Sequence, residues 1–259
     1  MTLPTEWRPR SLPDLVRLGN PHDGGYIMPE RGVTATDLII SLGISDDWSF
    51  EADFCRRKST VRVIGYDPTI TGSFWLKRAM SHLGAAVLRF EAARLGKVFD
   101  WIRYKSFFDG RRNQHRSVRI GYDVAGSASL AEVLREVRAE RVFLKVDIEG
   151  SEYRILDQIV ANAARLTGLA IEFHDVDIMR DRITEFLRDV QRDLMLCHIH
   201  ANNCAGVDDR GDPIAIEITL ISRALVGADE GSEFADIPAG SLDTPNDASR
   251  PDIALAFGG

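Results

Sequence analysis

The chain is short of cysteine and of long apolar runs, and each shortage excludes a class of protein. Cys55, Cys197 and Cys204 are an odd number at unrelated spacings. They offer neither a disulfide framework nor a CxxC zinc site, which fits a reducing, cytoplasmic setting. Nowhere do eighteen apolar residues follow one another, so no membrane-spanning segment is expected. The first ten residues are polar and proline-containing, without the apolar stretch of a signal peptide. Positive charge is also in deficit, with 32 Lys and Arg against 39 Asp and Glu, a net charge of −7. Nucleic acid is therefore not an expected partner, because neutralising phosphates takes clustered Lys and Arg. The phosphate-cradling G-x-G-x-x-G motif is missing, and no internal repeat is visible. What remains is ordinary globular usage: 259 residues, 44% of them hydrophobic, enough for a sizeable core.

Two kinds of segment alternate. Strand-sized aliphatic runs occupy Asp37–Leu42, Val61–Tyr66, Arg141–Val146, Gly168–Phe173, Leu194–His200 and Pro213–Ser222, each bounded by Gly, Pro, Asp or Asn. Helical patterns lie between most of them. Ser129–Arg138 opens with a serine followed three residues on by Glu132, the capping-box spacing. Ser151–Asn162 and Asp177–Arg192 carry apolar residues at three- and four-residue intervals. Nearly continuous apolar strands alternating with helices predict an α/β fold with a mostly parallel sheet covered on both faces. The last two strands are joined by a polar loop with no helix, which predicts a C-terminal antiparallel hairpin with an antiparallel edge strand.

Charge is unevenly spread. From Lys77 to Arg119 there are eleven Lys or Arg and three Asp or Glu, a local charge of +8, so the remainder carries −15. Trp75, Phe90, Phe99, Trp101, Tyr104, Phe107 and Phe108 are interleaved with these cations. Residues 70–120 thus read either as a helical insertion with core aromatics and solvated arginines, or as a cap that recruits an anionic acceptor or makes peripheral membrane contact. Residues 1–227 read as a single domain. Residues 228–259, rich in Asp, Gly, Pro and Ser, read as an extended tail docked through Ile253, Leu255 and Phe257.

Ligands of open α/β sheets bind beyond the carboxyl ends of the strands, so the residues there matter most. The first run ends in Ser41-Leu42-Gly43 followed by Asp46 and Asp47, the second in Asp67-Pro68, and the next in Asp147-Ile148-Glu149-Gly150. Glu172 and His174 close the following strand, and His198, His200, Asn202 and Asn203 the one after. Gly43 allows close backbone approach to a ligand, and Asp67, 24 positions later, suits a pair of ribose hydroxyls. The acidic loop after Gly43 would repel a pyrophosphate. A nucleoside without phosphates fits better than a dinucleotide, and S-adenosylmethionine is the obvious candidate.

The residues also resemble a known family. Arg17-Leu18-Gly19, Asp23-Gly24-Gly25-Tyr26, the run from Ser41 to Glu51, Tyr66-Asp67-Pro68-Thr69 and above all Lys145-Val146-Asp147-Ile148-Glu149-Gly150-Ser151-Glu152 look like FkbM-type S-adenosylmethionine-dependent methyltransferases. The resemblance spans roughly residues 15–222. It implies a Rossmann-like class I methyltransferase fold with a seven-stranded sheet, and O-methylation of a sugar, glycan or related natural product. Asp23, Gly24, Gly25, Ser41, Gly43, Asp67 and Asp147 are the expected cofactor-binding residues. Ser41 stands where the family usually has Asp.

Methyl transfer from a sulfonium requires an acceptor oxygen held in line and relieved of its proton. His174 is the first candidate base and His200 the second, with Asp147 beside them. Asp147, Glu172, His174 and His200 form a mixed carboxylate and imidazole set that suits Mg²⁺, Mn²⁺ or Zn²⁺ as a Lewis acid. Two other readings stand beside this one: a metal-dependent hydrolase built on His198-Ile199-His200, and a non-catalytic nucleoside-binding module. A small-molecule or glycan acceptor, anionic or lipid-linked, is the expected partner. His22, His82 and His115 read as ordinary surface residues.

Overall fold

The computed structural model describes residues 2–88, 99–122, 124–137 and 139–258. In chain order the strands are β1 (Leu15–Leu18), β2 (Tyr26–Pro29), β3 (Leu38–Leu42), β4 (Arg62–Tyr66), β5 (Asn113–Arg116), β6 (Arg119–Ile120), β7 (Ser127–Ala128), β8 (Val142–Val146), β9 (Leu166–Phe173), β10 (Leu194–Ala201) and β11 (Ile216–Ser222). The helices are α1 (Glu30–Ala35), α2 (Ser49–Arg57), α3 (Gly72–Leu88), α4 (Asp100–Phe107), α5 (Leu130–Glu136), α6 (Leu156–Asn162) and α7 (Val176–Val190). The capping box on α5 forms as read, with Ser129 and Glu132 each bonded to the other's backbone N–H.

Seven strands make one sheet in the order β10-β11-β9-β8-β3-β4-β5. Every pairing is parallel except the two made by β11. From β3 the chain runs outward to β4 and β5, then returns to build β8 and β9 on the other side. The order therefore reverses between β3 and β8, the place where such sheets open a crevice. This is a Rossmann-like, doubly wound sheet with one antiparallel strand. Successive side chains of β3 serve opposite layers: Leu38, Ile40 and Leu42 join the core under α5, α6 and α7, while Ile39 packs with Phe50, Phe54 and Phe143 under α2.

Three features depart from the sequence reading. The strand β5 lies inside the segment 70–120, which is therefore not helical throughout. Its sequence Asn-Gln-His-Arg carries no apolar signal because it is the sheet's edge, paired only with β4, and only Asn113 is buried. The antiparallel strand is not at the edge either: β11 inserts between β9 and β10, leaving β10 outermost. The crossover through α7 sets β10 a strand's width away from β9, and β11, buried along its whole length, fills the gap. The hairpin β1–β2 carries Arg17-Leu18-Gly19 and ends in Tyr26, with the tight turn through Gly24 and Gly25 between its strands. A Cβ on Gly25 would lie 1.9 Å from the Asn20 carbonyl, so that turn requires the glycine.

The tail is anchored more by polar contacts than by apolar ones. Leu255 and Phe257 do pack on the core, and Phe257 bridges to Leu3. Ile253 is only half-buried. The larger tie is Asn203, whose side-chain amide donates to the carbonyls of Asp247, Arg250 and Pro251. Phe90 lies outside the described residues, as does the side chain of His82.

Candidate functional site

The turn after β3 and the end of β4 are locked together. Asp67 Oδ2 accepts from the backbone N–H of Ile44 (3.1 Å) and Ser45 (2.8 Å). Its Oδ1 accepts from the Thr69 N–H (2.8 Å) and the Thr69 hydroxyl (2.6 Å). Burial opposes the charge of Asp67, but these bonds from Thr69, Ser45 and Ile44 outweigh it and hold the carboxyl below its usual range. All four acceptor positions of the carboxylate are thus used by the protein's own donors. A ribose would gain Asp67 by displacing the Thr69 hydroxyl, the one donor that can rotate away.

Gly43 sits at φ +79°, and a Cβ there would lie 1.7 Å from the Asp147 carbonyl oxygen. The glycine is required first by the neighbouring strand β8, and the ligand gains its approach as a consequence. Ser45 and Glu149 also take left-handed backbone geometry, at φ +50° and +53°. Non-glycine residues in that region are costly and cluster at ligand sites. Between these turns opens a cavity of about 430 Å³. Gly43, Asp67 and Pro68, then Val118, Arg119 and Ile120, and then Asp147, Glu149 and Ser151 line it, with the Arg119 guanidinium stacked over the Tyr122 ring. Aliphatic groups and three carboxylates against one arginine suit a flat base and a cationic group.

Beside the cavity the floor becomes strongly acidic. Glu172, Glu217 and His200 are direct register partners on β9, β11 and β10, and Asp147 lies one residue beyond Val146, the partner of Ile171. Four titratable groups therefore share one row at the strand ends. Burial, and then the nearby Asp147 and Glu217, push the Glu172 carboxyl well above its ordinary range, against the opposing pull of His174 and Asn202. Burial, Glu217 and Asp147 raise Asp23 as well. Asn202 Nδ2 donates to Glu172 (2.7 Å) and Asn246 Nδ2 to Glu217 (2.6 Å). Lys145 is buried among them, donating to the Gly43 carbonyl (3.1 Å) and standing 3.6 Å from Asp147.

Ser41 bonds to Glu51 of α2 at 2.6 Å, and both side chains are fully buried. Burial raises the Glu51 carboxyl above its ordinary range, against the opposing pull of Lys145 and Ser41.

His174 is the most constrained side chain of the site. The fully buried Glu152 accepts from both its backbone N–H (2.8 Å) and its Nδ1 (3.1 Å). The Tyr153 hydroxyl donates to the His174 carbonyl. Nε2 is thereby turned toward Glu149 (3.4 Å) and Glu172 (3.8 Å). Burial disfavours the imidazolium, but the bond to Glu152 and the charges of Glu172, Glu152 and Asp147 prevail and raise the pKa to about 9.

Among the described residues, Asp147, Glu149 and His174 are the one group of three whose donor atoms all lie within 4.8 Å of one another. Two carboxylates and an imidazole oriented by a further carboxylate are a fitting donor set for a divalent ion. Glu172 borders this group.

His200 does not belong to it. Its Nε2 lies 3.2 Å from Asp252 and its Nδ1 3.8 Å from Glu217, which together raise its pKa to about 9 against burial. His198 Nε2 pairs with Asp243 at 2.9 Å. The two rings share a face, as alternation in a strand requires, but both are engaged by the tail. His22 bonds to the Pro245 carbonyl and His115 to the Asp67 carbonyl, so neither is an idle surface group. Of the cofactor candidates, Gly43, Asp67 and Asp147 line the cavity, whereas Ser41 lies beneath it and Asp23 borders the acidic floor. Gly24 and Gly25 shape the β1–β2 turn. Glu217 was not singled out by sequence; Asn202 was noted there as a strand end, and Thr69 and Glu152 only as members of the Tyr66–Thr69 and Lys145–Glu152 motifs.

No family model and no curated protein matches the chain. Solved structures do resemble it in fold. A fibrillarin/Nop5p complex shares 10% identity over 73% of each chain, with a TM-score of 0.38. An rRNA methylase from Streptococcus thermophilus shares 11% over 74% of this chain and 92% of its own, also at 0.38. A precorrin-6y C5,15-methyltransferase from Geobacter metallireducens shares 14% over 73% and 83%, again at 0.38. At that degree of likeness, the functional reading rests on the geometry of the strand ends.

Proposed function

We propose that the chain is an S-adenosylmethionine-dependent methyltransferase that methylates a hydroxyl oxygen of a sugar, glycan or related acceptor. The observation that carries this is the cavity at the reversal of strand order, walled by Val118 and Ile120 and edged by Asp67, Asp147 and Glu149. Asp67, Asp147 and Glu149 outnumber Arg119 on this lining, a balance that favours a sulfonium over a pyrophosphate and so this nucleoside over a dinucleotide. Asp67 holds the ribose and the Gly43 turn admits the donor's backbone-like chain.

The acceptor hydroxyl meets the donor beyond β8 and β9, where His174 Nε2 faces outward from its bond to Glu152. A neutral imidazole there takes the hydroxyl proton as the oxygen attacks, and Glu152 steadies the imidazolium that results. With a pKa near 9, His174 is charged at neutral pH, so turnover rises as the pH climbs toward that value. Asp147, Glu149 and His174 Nε2 would alternatively hold a divalent ion, which would then replace the imidazole base by a Lewis acid that lowers the hydroxyl pKa.

The reading is tested by thermal denaturation with S-adenosylmethionine, S-adenosylhomocysteine, NAD and ATP in turn. The first two raise the melting temperature and the last two do not. A shift with NAD or ATP alone overturns it.

A further inference from the structure

Helices α3 and α4 turn two different faces outward and inward. Inward, Trp75, Tyr104 and Phe108 are buried and pack with Trp48 and Ile44 in the core under α2. Outward, Leu76 and Met80, one helical turn apart on α3, are 63% and 66% exposed. Phe99 and Ile102, three residues apart at the start of α4, are 58% and 63% exposed. Trp101 is half-exposed between them, with Trp75 at 6.0 Å on one side and the Lys105 ammonium over its ring at 4.7 Å. Lys77, Arg103, Lys105, Arg111 and Arg112 are exposed on the same two helices and the turn after α4. Scattered apolar residues on a surface call for no explanation, but five large ones on two adjoining helices do.

We propose that this face of α3 and α4 docks on an anionic lipid bilayer. Charge selects the partner. On α3, α4 and the turn after α4, Lys77, Arg78, Arg103, Lys105, Arg111 and Arg112 stand against Asp100 and Asp109 in a chain of net charge −7, so an anionic surface attracts this region in preference to the rest. The exposed groups select it too: Leu, Met, Ile and Phe flanked by Lys and Arg are what enters the headgroup boundary, with the Trp101–Lys105 pair at the level of the headgroups. A nucleic acid would find the cations but no use for the aliphatic residues.

Docking also has a consequence for the site. Helix α3 begins five residues after Asp67, and Arg78 pairs with Asp46 in the turn that carries Gly43. The docked face therefore adjoins the cavity, and an acceptor carried on a lipid arrives from the membrane side. The docking itself does not depend on the methyltransferase reading.

Co-sedimentation of the whole chain with vesicles tests it. Vesicles of equal parts phosphatidylglycerol and phosphatidylcholine pellet the protein, and pure phosphatidylcholine does so at least about tenfold more weakly. Raising the salt to about 1 M, where charges are screened within about 3 Å, releases most of it. The double variant Leu76→Glu/Ile102→Glu loses at least about tenfold in binding while its melting temperature stays that of the parent, because both side chains are exposed. Equal binding to both vesicle types, an unaffected double variant, or binding to neither overturns the proposal. So does a parent that is dimeric and becomes monomeric in the double variant without ever pelleting, which assigns the face to a second copy of the chain. Retention of S-adenosylhomocysteine binding by the double variant keeps this result separate from any failure of the cofactor site.

Discussion

The two halves of the strand-end row handle charge in opposite ways. On the β3–β4 side, Asp67 is buried yet held ionised, because four donors of its own turn satisfy it. On the β9–β11 side, Glu172 and Glu217 face each other across the sheet with one amide donor apiece, and Glu172 is driven toward its neutral form. The first half is open and lined by glycine and aliphatic groups. The second is closed over by the tail, through Asn246 on Glu217, Asp243 on His198 and Asp252 on His200. On the proposed function this division is useful, with a preorganised carboxylate for recognising the donor and raised pKa values where the acceptor would lose its proton.

The most damaging change to the open half is Gly43→Ala. The added Cβ would meet the Asp147 carbonyl, and the positive φ would be strained in any case, so a loss above about 2 kcal/mol is expected in urea denaturation. An unchanged midpoint would mean the β3 and β8 turns are not locked.

Asn203→Ala breaks the closed half instead. Removing the donor to three tail carbonyls costs about 1–3 kcal/mol and exposes residues 236–258 to limited proteolysis. If the tail stays protected, the apolar contacts of Leu255 and Phe257 hold it unaided.

Glu152→Gln is the sharper probe of His174. His174 and His200 both have pKa values raised to about 9, so the stability they lend is complete below about 6.5 and drains away as pH rises through 9. The raised Glu172 carboxyl acts in the same sense, favouring the folded state at lower pH. Parent stability therefore falls between about pH 7 and 10, and Glu152→Gln flattens that fall without abolishing it, since His200 keeps Glu217 and Asp252. A parent whose denaturation midpoint is level across that range would remove the basis for calling His174 an imidazolium.

The last effect concerns metal and leaves the fold untouched. Titration of Mn²⁺ followed by electron paramagnetic resonance should show one site in the parent, weakened about 10–100-fold in His174→Ala and unaffected in His200→Ala. Equal losses in both variants would restore His200 to the donor set.

Much of the sheet was legible because aliphatic runs are buried on both faces and leave an unbroken apolar trace. The strand β5 left none, since an edge strand of Asn, Gln, His and Arg contributes hydrogen bonds rather than burial. The candidate site was legible as a set of strand ends but not as a geometry. Sequence position placed His200 beside His174, and only the tail's carboxylates, some forty to fifty residues downstream, show that His200 is engaged elsewhere. Glu152 was visible in its motif, yet its use as the carboxylate that turns His174 depends on a fold-level contact between the turn after β8 and the end of β9.

Isothermal titration of S-adenosylhomocysteine into the parent and into Asp67→Ala tests the central claim most directly. The account predicts one site per chain in the parent, weakened about 10–100-fold in the variant, the loss expected when a charged acceptor of hydrogen bonds is removed. A flat titration of the parent, or binding that ignores Asp67, would contradict it.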